Sequence, residues 1–88
     1  MTERTVKVVN PLGLHARPAA QLVRLASTFA SHVELGRDGL MVNAKSIMGV
    51  MMLAAECGAS LLVRADGADE AAAVEALAAL VARGFDEL

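Results

Sequence analysis

The sequence predicts an α+β fold: four strands in one antiparallel sheet and three helices packed on one of its faces, in the order βαββαβα. Three observations lead there. The apolar period switches repeatedly between two and about 3.6 residues. The turn-forming pairs Asp38-Gly39 and Asp66-Gly67 fall between periodic segments. No linker, repeat or low-complexity stretch divides the chain, so residues 1–88 form a single domain around one core.

Thr5-Val6-Lys7-Val8-Val9 alternates and is rich in β-branched residues, the pattern of a strand. Asn10 to Gly13 breaks it and forms a loop. From Ala19 the period lengthens: Leu22, Leu25, Ala26 and Phe29 share one helical face, with Gln21, Arg24 and Thr28 on the other side. The pattern weakens over Ser27 to Ser31, where this helix ends. Val33 and Leu35 alternate with His32, Glu34 and Arg37 as a second strand, and Asp38-Gly39 turns into a short third one through Leu40 and Val42. Ser46 is placed to cap a second helix whose stripe is Ile47, Val50, Met51 and Ala54, with Met48 and Met52 turned away and Gly58 closing it. Ser60 to Ala65 is the fourth strand, with Leu61, Val63 and Ala65 on one side. Asp69 is placed to cap the last helix and Glu70 suits its dipole; Val74, Leu77, Ala78 and Val81 form the buried stripe, and Gly84 ends it. The polar alternates Lys7, Glu34 and Arg64 leave the other face of the sheet to water.

Composition narrows the function classes. A formal charge of −2, no run of cations and only two aromatic residues, Phe29 and Phe85, offer nucleic acid neither a basic field nor a stacking platform. Thr2 to Asn10 alternates and carries Glu3, Arg4 and Lys7, unlike a signal peptide. No apolar run approaches the roughly 20 residues of a membrane span. The expected location is the cytoplasm, without membrane insertion. A single Cys57, read as a small apolar residue near a helix end, excludes an internal disulfide. With two histidines 17 positions apart, no metal-ligand set is expected, and no cofactor.

The chemistry concentrates in Gly13-Leu14-His15-Ala16-Arg17-Pro18, where a loop meets the first helix. Pro18 fits the first turn of a helix, whose N–H groups have no internal partner and suit an anion. Arg17 adds a planar fork of donors suited to phosphate oxygens. The positive end of the helix disfavours an imidazolium and leaves the neutral ring of His15 as a nucleophile. His32 lacks all of this context and reads as a surface residue. No histidine, carboxylate or cysteine adjoins His15 in sequence to serve as a general base, which favours carrying a phosphoryl group over hydrolysing one. Ser46 is an ordinary capping residue and also a candidate phosphorylation site. Met48, Met51 and Met52 fill a core or, if left outside, form an adaptable apolar patch.

Together Gly13-Leu14-His15-Ala16-Arg17-Pro18-Ala19 and Lys45-Ser46-Ile47-Met48-Gly49-Val50-Met51 resemble the HPr family, the histidine-containing phosphocarriers of the bacterial phosphoenolpyruvate-dependent sugar phosphotransferase system. The resemblance spans essentially the whole chain and implies an open-faced β-sandwich. It implies that phospho-enzyme I loads Nδ1 of His15, that Arg17 stabilises the phosphoryl group, and that an enzyme IIA domain receives it. By the same analogy Leu14, Ala20, Arg24, Ile47, Met48 and Met51 form the docking surface. Ser46 becomes a target of an ATP-dependent HPr kinase/phosphorylase, whose product would repel acidic partner surfaces. The carrier is expected to be a monomer, and to be no enzyme by itself, since turnover needs its partners. Two other roles fit the same residues: a phosphocarrier in a nitrogen-related regulatory branch, and an interaction module signalled through Ser46. A metal-binding ferredoxin-like domain is disfavoured by the missing Cys-x-x-Cys. The tail Asp86-Glu87-Leu88 carries no family motif and receives no role.

Overall fold

The computed structural model describes residues 1–87. Strands β1 (Thr2–Lys7), β2 (His32–Arg37), β3 (Leu40–Asn43) and β4 (Ser60–Asp66) form one antiparallel sheet in the order β1-β4-β2-β3. Helices α1 (Ala16–Ala26), α2 (Ile47–Met52) and α3 (Glu70–Ala82) complete the expected βαββαβα order, and a short 3-10 turn, Gly84–Asp86, follows α3. No helix among the described residues is long and apolar enough to cross a membrane.

The core forms where the period-2 stripes of the strands meet the helices. Leu61, Val63 and Ala65 of β4 and Val33 and Leu35 of β2 are completely buried, as are Leu22 of α1 and Leu77 and Val81 of α3. The opposite sheet face carries cross-strand charge: Arg64 Nε is 2.5 Å from Glu3 Oε2, and its Nη1 is 3.7 Å from Glu34 Oε1. The register places Glu3, Arg64 and Glu34 directly opposite one another, which is what pairs them. Asp38 and Gly39 both take positive φ, 50° and 85°, as the tight turn between β2 and β3 requires.

Five expectations are corrected. β1 runs from Thr2 to Lys7 rather than from Thr5 to Val9; Val8 leaves the ladder and bonds instead to the turn before β4, its N–H reaching Ala59 O at 2.9 Å. α2 stops at Met52, well before Gly58, and Ala54 itself takes φ 48° to redirect the chain. Of the stripe assigned to α2 only Val50 is buried, with Leu53 just beyond it; Ile47, Met51 and Ala54 are exposed. A six-residue helix lying at the edge of the fold has room to bury one turn, not a continuous face. Asp69 stands at the N-cap of α3 without capping it: its carboxylate accepts from the Ala30 and Ser31 N–H groups, at 2.8 and 2.9 Å, and from the Ser31 hydroxyl. These bonds, the Ser31 hydroxyl foremost, hold the Asp69 carboxyl below its ordinary range. Cys57 is exposed in the turn before β4 rather than packed as an apolar residue, and His32 lies on the surface as expected.

Candidate functional site

His15 is the N-cap residue of α1, with extended backbone and a half-buried side chain. Its carbonyl accepts the first helical bond, from Ala19 N–H at 3.0 Å. The loop before it is pinned from below. Gly13 has φ +66°, and a Cβ there would stand 2.9 Å from Glu56 Cα and collide with the Ala55 carbonyl. Leu14 N–H donates to that carbonyl at 2.8 Å. The segment leaving α2 is in turn braced by Arg37, whose Nη1 donates to Ala54 O at 2.7 Å and whose Nη2 lies 2.6 Å from Glu56 Oε1. The Arg37 hydrogen bond holds the Glu56 carboxyl below its ordinary range. The backbone under His15 is therefore fastened to the exit of α2, not left as a free loop.

A carboxylate absent from the sequence neighbourhood of His15 reaches it in space. Glu87 Oε2 lies 3.0 Å from His15 Nε2, and Oε1 lies 3.3 Å away. An ionised carboxylate only accepts, so in the neutral ring Nε2 carries the proton and Nδ1 holds the free lone pair. Among the described residues Nδ1 has no hydrogen-bond partner. The carboxylate thus occupies the side of the ring opposite Nδ1 and orients the imidazole from there.

Glu87 is delivered by Phe85, which is 1% exposed and sits at φ 56°, followed by Asp86 at φ 61°. Two consecutive left-handed residues reverse the chain beyond α3 and bring the tail back over the start of α1. Asn10 Nδ2 then donates to Glu87 Oε1 at 3.0 Å and to Gly13 O at 2.7 Å. Arg17 is exposed and lines a shallow cleft of about 630 Å³ with Pro11, Leu12, Gln21, Phe85 and Glu87. Glu87 thus touches the His15 ring and lines the same cleft as Arg17.

Ser46 caps α2 as expected, its Oγ accepting from Gly49 N–H at 3.2 Å. α2 packs against α1, and Ile47, Met48, Met51 and Met52 are all exposed on it. Arg24 is exposed and Ala20 half-buried. Leu14 is different: it is buried, 5% exposed, and contributes to the core beneath His15 rather than to an open surface. Asn10, Phe85 and Glu87 are the residues around His15 that sequence reasoning missed, whereas Met52 lies exposed as its reading in the methionine patch allowed. The one available signal was Phe85, an aromatic placed after the helix-ending Gly84, which has to be buried somewhere.

A family model described as the PTS HPr component phosphorylation site matches residues 2–83. The chain belongs to the HPr family. It is 51% identical over 87 residues to the phosphocarrier protein HPr of Cupriavidus necator, covering 99% of this chain and 98% of that protein. The crystal structure of an HPr from Thermoanaerobacter tengcongensis superposes with a TM-score of 0.96 at 44% identity, covering 100% of this chain and 99% of the other. An HPr dimer from the same organism matches with a TM-score of 0.79 at 45% identity, covering 99% of this chain and 100% of the other. The HPr fold expected from the sequence is the fold observed. Membership supports a phosphocarrier role in the phosphotransferase system, which fits a protein that is not itself a catalytic enzyme.

Proposed function

We propose that this HPr-family chain takes a phosphoryl group from phospho-enzyme I onto Nδ1 of His15 and gives it to an enzyme IIA domain in sugar uptake, working as a monomer in the cytoplasm. The observation that carries this reading is the pairing of His15 Nε2 with Glu87 at 3.0 Å, which leaves Nδ1 as the available nucleophile at a helix N-terminus. The Nδ1 lone pair forms the N–P bond while the bond from phosphorus to the donor breaks and its electrons leave with the donor. The Nε2 proton stays in place, and the charge gained by the ring faces the Glu87 carboxylate. Arg17 supplies N–H donors to the phosphoryl oxygens. Ile47, Met48 and Met51, joined by Met52, offer an apolar patch beside Ala20 and Arg24, and flexible methionines suit more than one partner.

Ser46 is the proposed target of HPr kinase/phosphorylase. Half-buried at the start of α2, which carries that patch, it would bring negative charge to the docking surface when phosphorylated without unfolding the helix.

Incubation with enzyme I and labelled phosphoenolpyruvate should give an acid-labile, base-stable phosphate that is lost in His15→Ala. Label that persists in this variant would place the acceptor elsewhere. Sedimentation of the unmodified protein at working concentration tests the monomer.

A further inference from the structure

We propose that Asn10 is a positioning residue for phosphoryl acceptance, holding the Glu87 carboxylate against His15; this rests on the assignment of His15 as the acceptor. Among the described residues, Asn10 and Ser31 are the polar side chains buried in the fold, and Asn10 is completely so. Ser31 is accounted for by its bonds to Asp69. Asn10 needs another explanation, because its Oδ1 is buried with no partner. An orphaned acceptor in the interior is destabilising, and an apolar side chain in its place would leave none. What the amide provides in return is two donated hydrogen bonds.

Those bonds fix its orientation. Nδ2 faces the Gly13 carbonyl at 2.7 Å and Glu87 Oε1 at 3.0 Å, both acceptors. Turning the amide over would set Oδ1 against a carbonyl and a carboxylate, so the donor must point this way. One contact grips the loop that leads into His15; the other grips the carboxylate that touches its ring. With Oε1 held by a buried amide, Oε2 is aimed at His15 Nε2 at 3.0 Å. A glutamate on an exposed tail otherwise has several rotamers and full access to water. The buried amide removes that freedom, and with it the freedom of the ring to exchange its proton between nitrogens.

The test uses the full chain, with the His15 ring nitrogens followed by 15N NMR at a pH where imidazole is neutral. The parent protein should show the Nε2–H form, and Asn10→Ala and Glu87→Ala should each admit a share of the Nδ1–H form. In transfer from phospho-enzyme I, each should lower kcat roughly tenfold with KM unchanged, the scale of a lost orienting contact. Because Asn10 acts through Glu87, the double variant should lose no more than Glu87→Ala alone. Asn10→Asp keeps the shape but sets a second carboxylate against Glu87, and should reproduce the loss if Asn10→Ala does not fold. An unchanged tautomer and kcat in the foldable Asn10 variant, or losses that multiply in the double variant, would overturn the proposal. Phosphate found on a residue other than His15 would overturn the acceptor assignment and the proposal with it; the tautomer spectra, which need no phosphoryl transfer, tell that failure from failure of the Asn10 contact.

Discussion

At the scale of single residues, the same local geometry can serve chemistry or merely cost stability. Ala54 takes φ 48°, a region where a Cβ crowds the backbone at a cost of roughly 1–2 kcal/mol. Its carbonyl must nonetheless point at Arg37 Nη1, 2.7 Å away, because that bond braces the exit of α2 beneath the His15 loop. Glycine would take this conformation without the crowding but would lose more backbone entropy on folding. The balance predicts that Ala54→Gly stabilises the domain by about 0.5–1 kcal/mol, read as a melting temperature several degrees higher. A lower one would mean that the turn is set by something other than φ at this position. Ser46 presents the opposite case, with an unstrained cap beside an exposed apolar patch. Ser46→Asp should leave the fold intact and slow transfer from phospho-enzyme I by on the order of tenfold through repulsion of acidic partner surfaces. Equal rates for the two proteins at low salt would remove that electrostatic role.

At the scale of elements, the sequence was most legible where period and turn chemistry agreed. Leu61, Val63 and Ala65 alternate and are buried, and Asp38-Gly39 turns as its side chains allow. It was least legible where tertiary bonds compete with local ones. Asp69 reads as a helix cap from its neighbours, yet its carboxylate is drawn to Ala30 and Ser31, distant in sequence. Gly58 reads as a helix stop, yet a helix of six residues was already finished and Ala54 had made the turn. Glu70 shows what such long-range bonds contribute. Its carboxylate accepts from the Met1 amino group at 2.8 Å, the Thr2 hydroxyl at 2.6 Å and the Gly67 N–H at 3.2 Å, joining β1 to the start of α3. The amino-group hydrogen bond, then that of Thr2, pulls its carboxyl from 4.5 to about 2. A folded value below the unfolded one means that protonation opposes folding. The contribution is complete above about pH 4.5 and disappears as pH falls toward about 2. Glu70→Gln should therefore melt earlier than the parent at neutral pH, with the two converging across that window. A difference that stays constant from pH 5 to pH 2 would show that ionisation of Glu70 is not the linkage.

At the scale of the whole molecule, the site is assembled from the two parts of the chain that sequence reasoning kept apart. The motif from Gly13 to Pro18 supplies the proposed nucleophile, a cation and a helix N-terminus, and all of that can be read locally. The carboxylate that orients the nucleophile arrives from 72 positions away and has no motif, because what brings it there is burial. Phe85 is the anchor: a fully buried ring beyond α3, on a backbone turned left-handed at two successive residues. Removing the ring separates two effects that a simple loss of stability would merge. Phe85→Ala should cost about 3–5 kcal/mol as a large-to-small core change and should also free Glu87 from His15. Glu87→Ala, which removes the hydrogen bonds to Asn10 and His15 but no core packing, should cost only about 0.5–1.5 kcal/mol while producing the same change in the His15 ring 15N shifts. Thermal melts and ring spectra of both variants, recorded below the melting temperature of the weaker one, decide the matter. If Phe85→Ala loses stability but keeps the parent ring spectrum, the tail reaches His15 without its aromatic anchor. If both spectra change alike, the core holds the catalytic geometry from the far end of the chain.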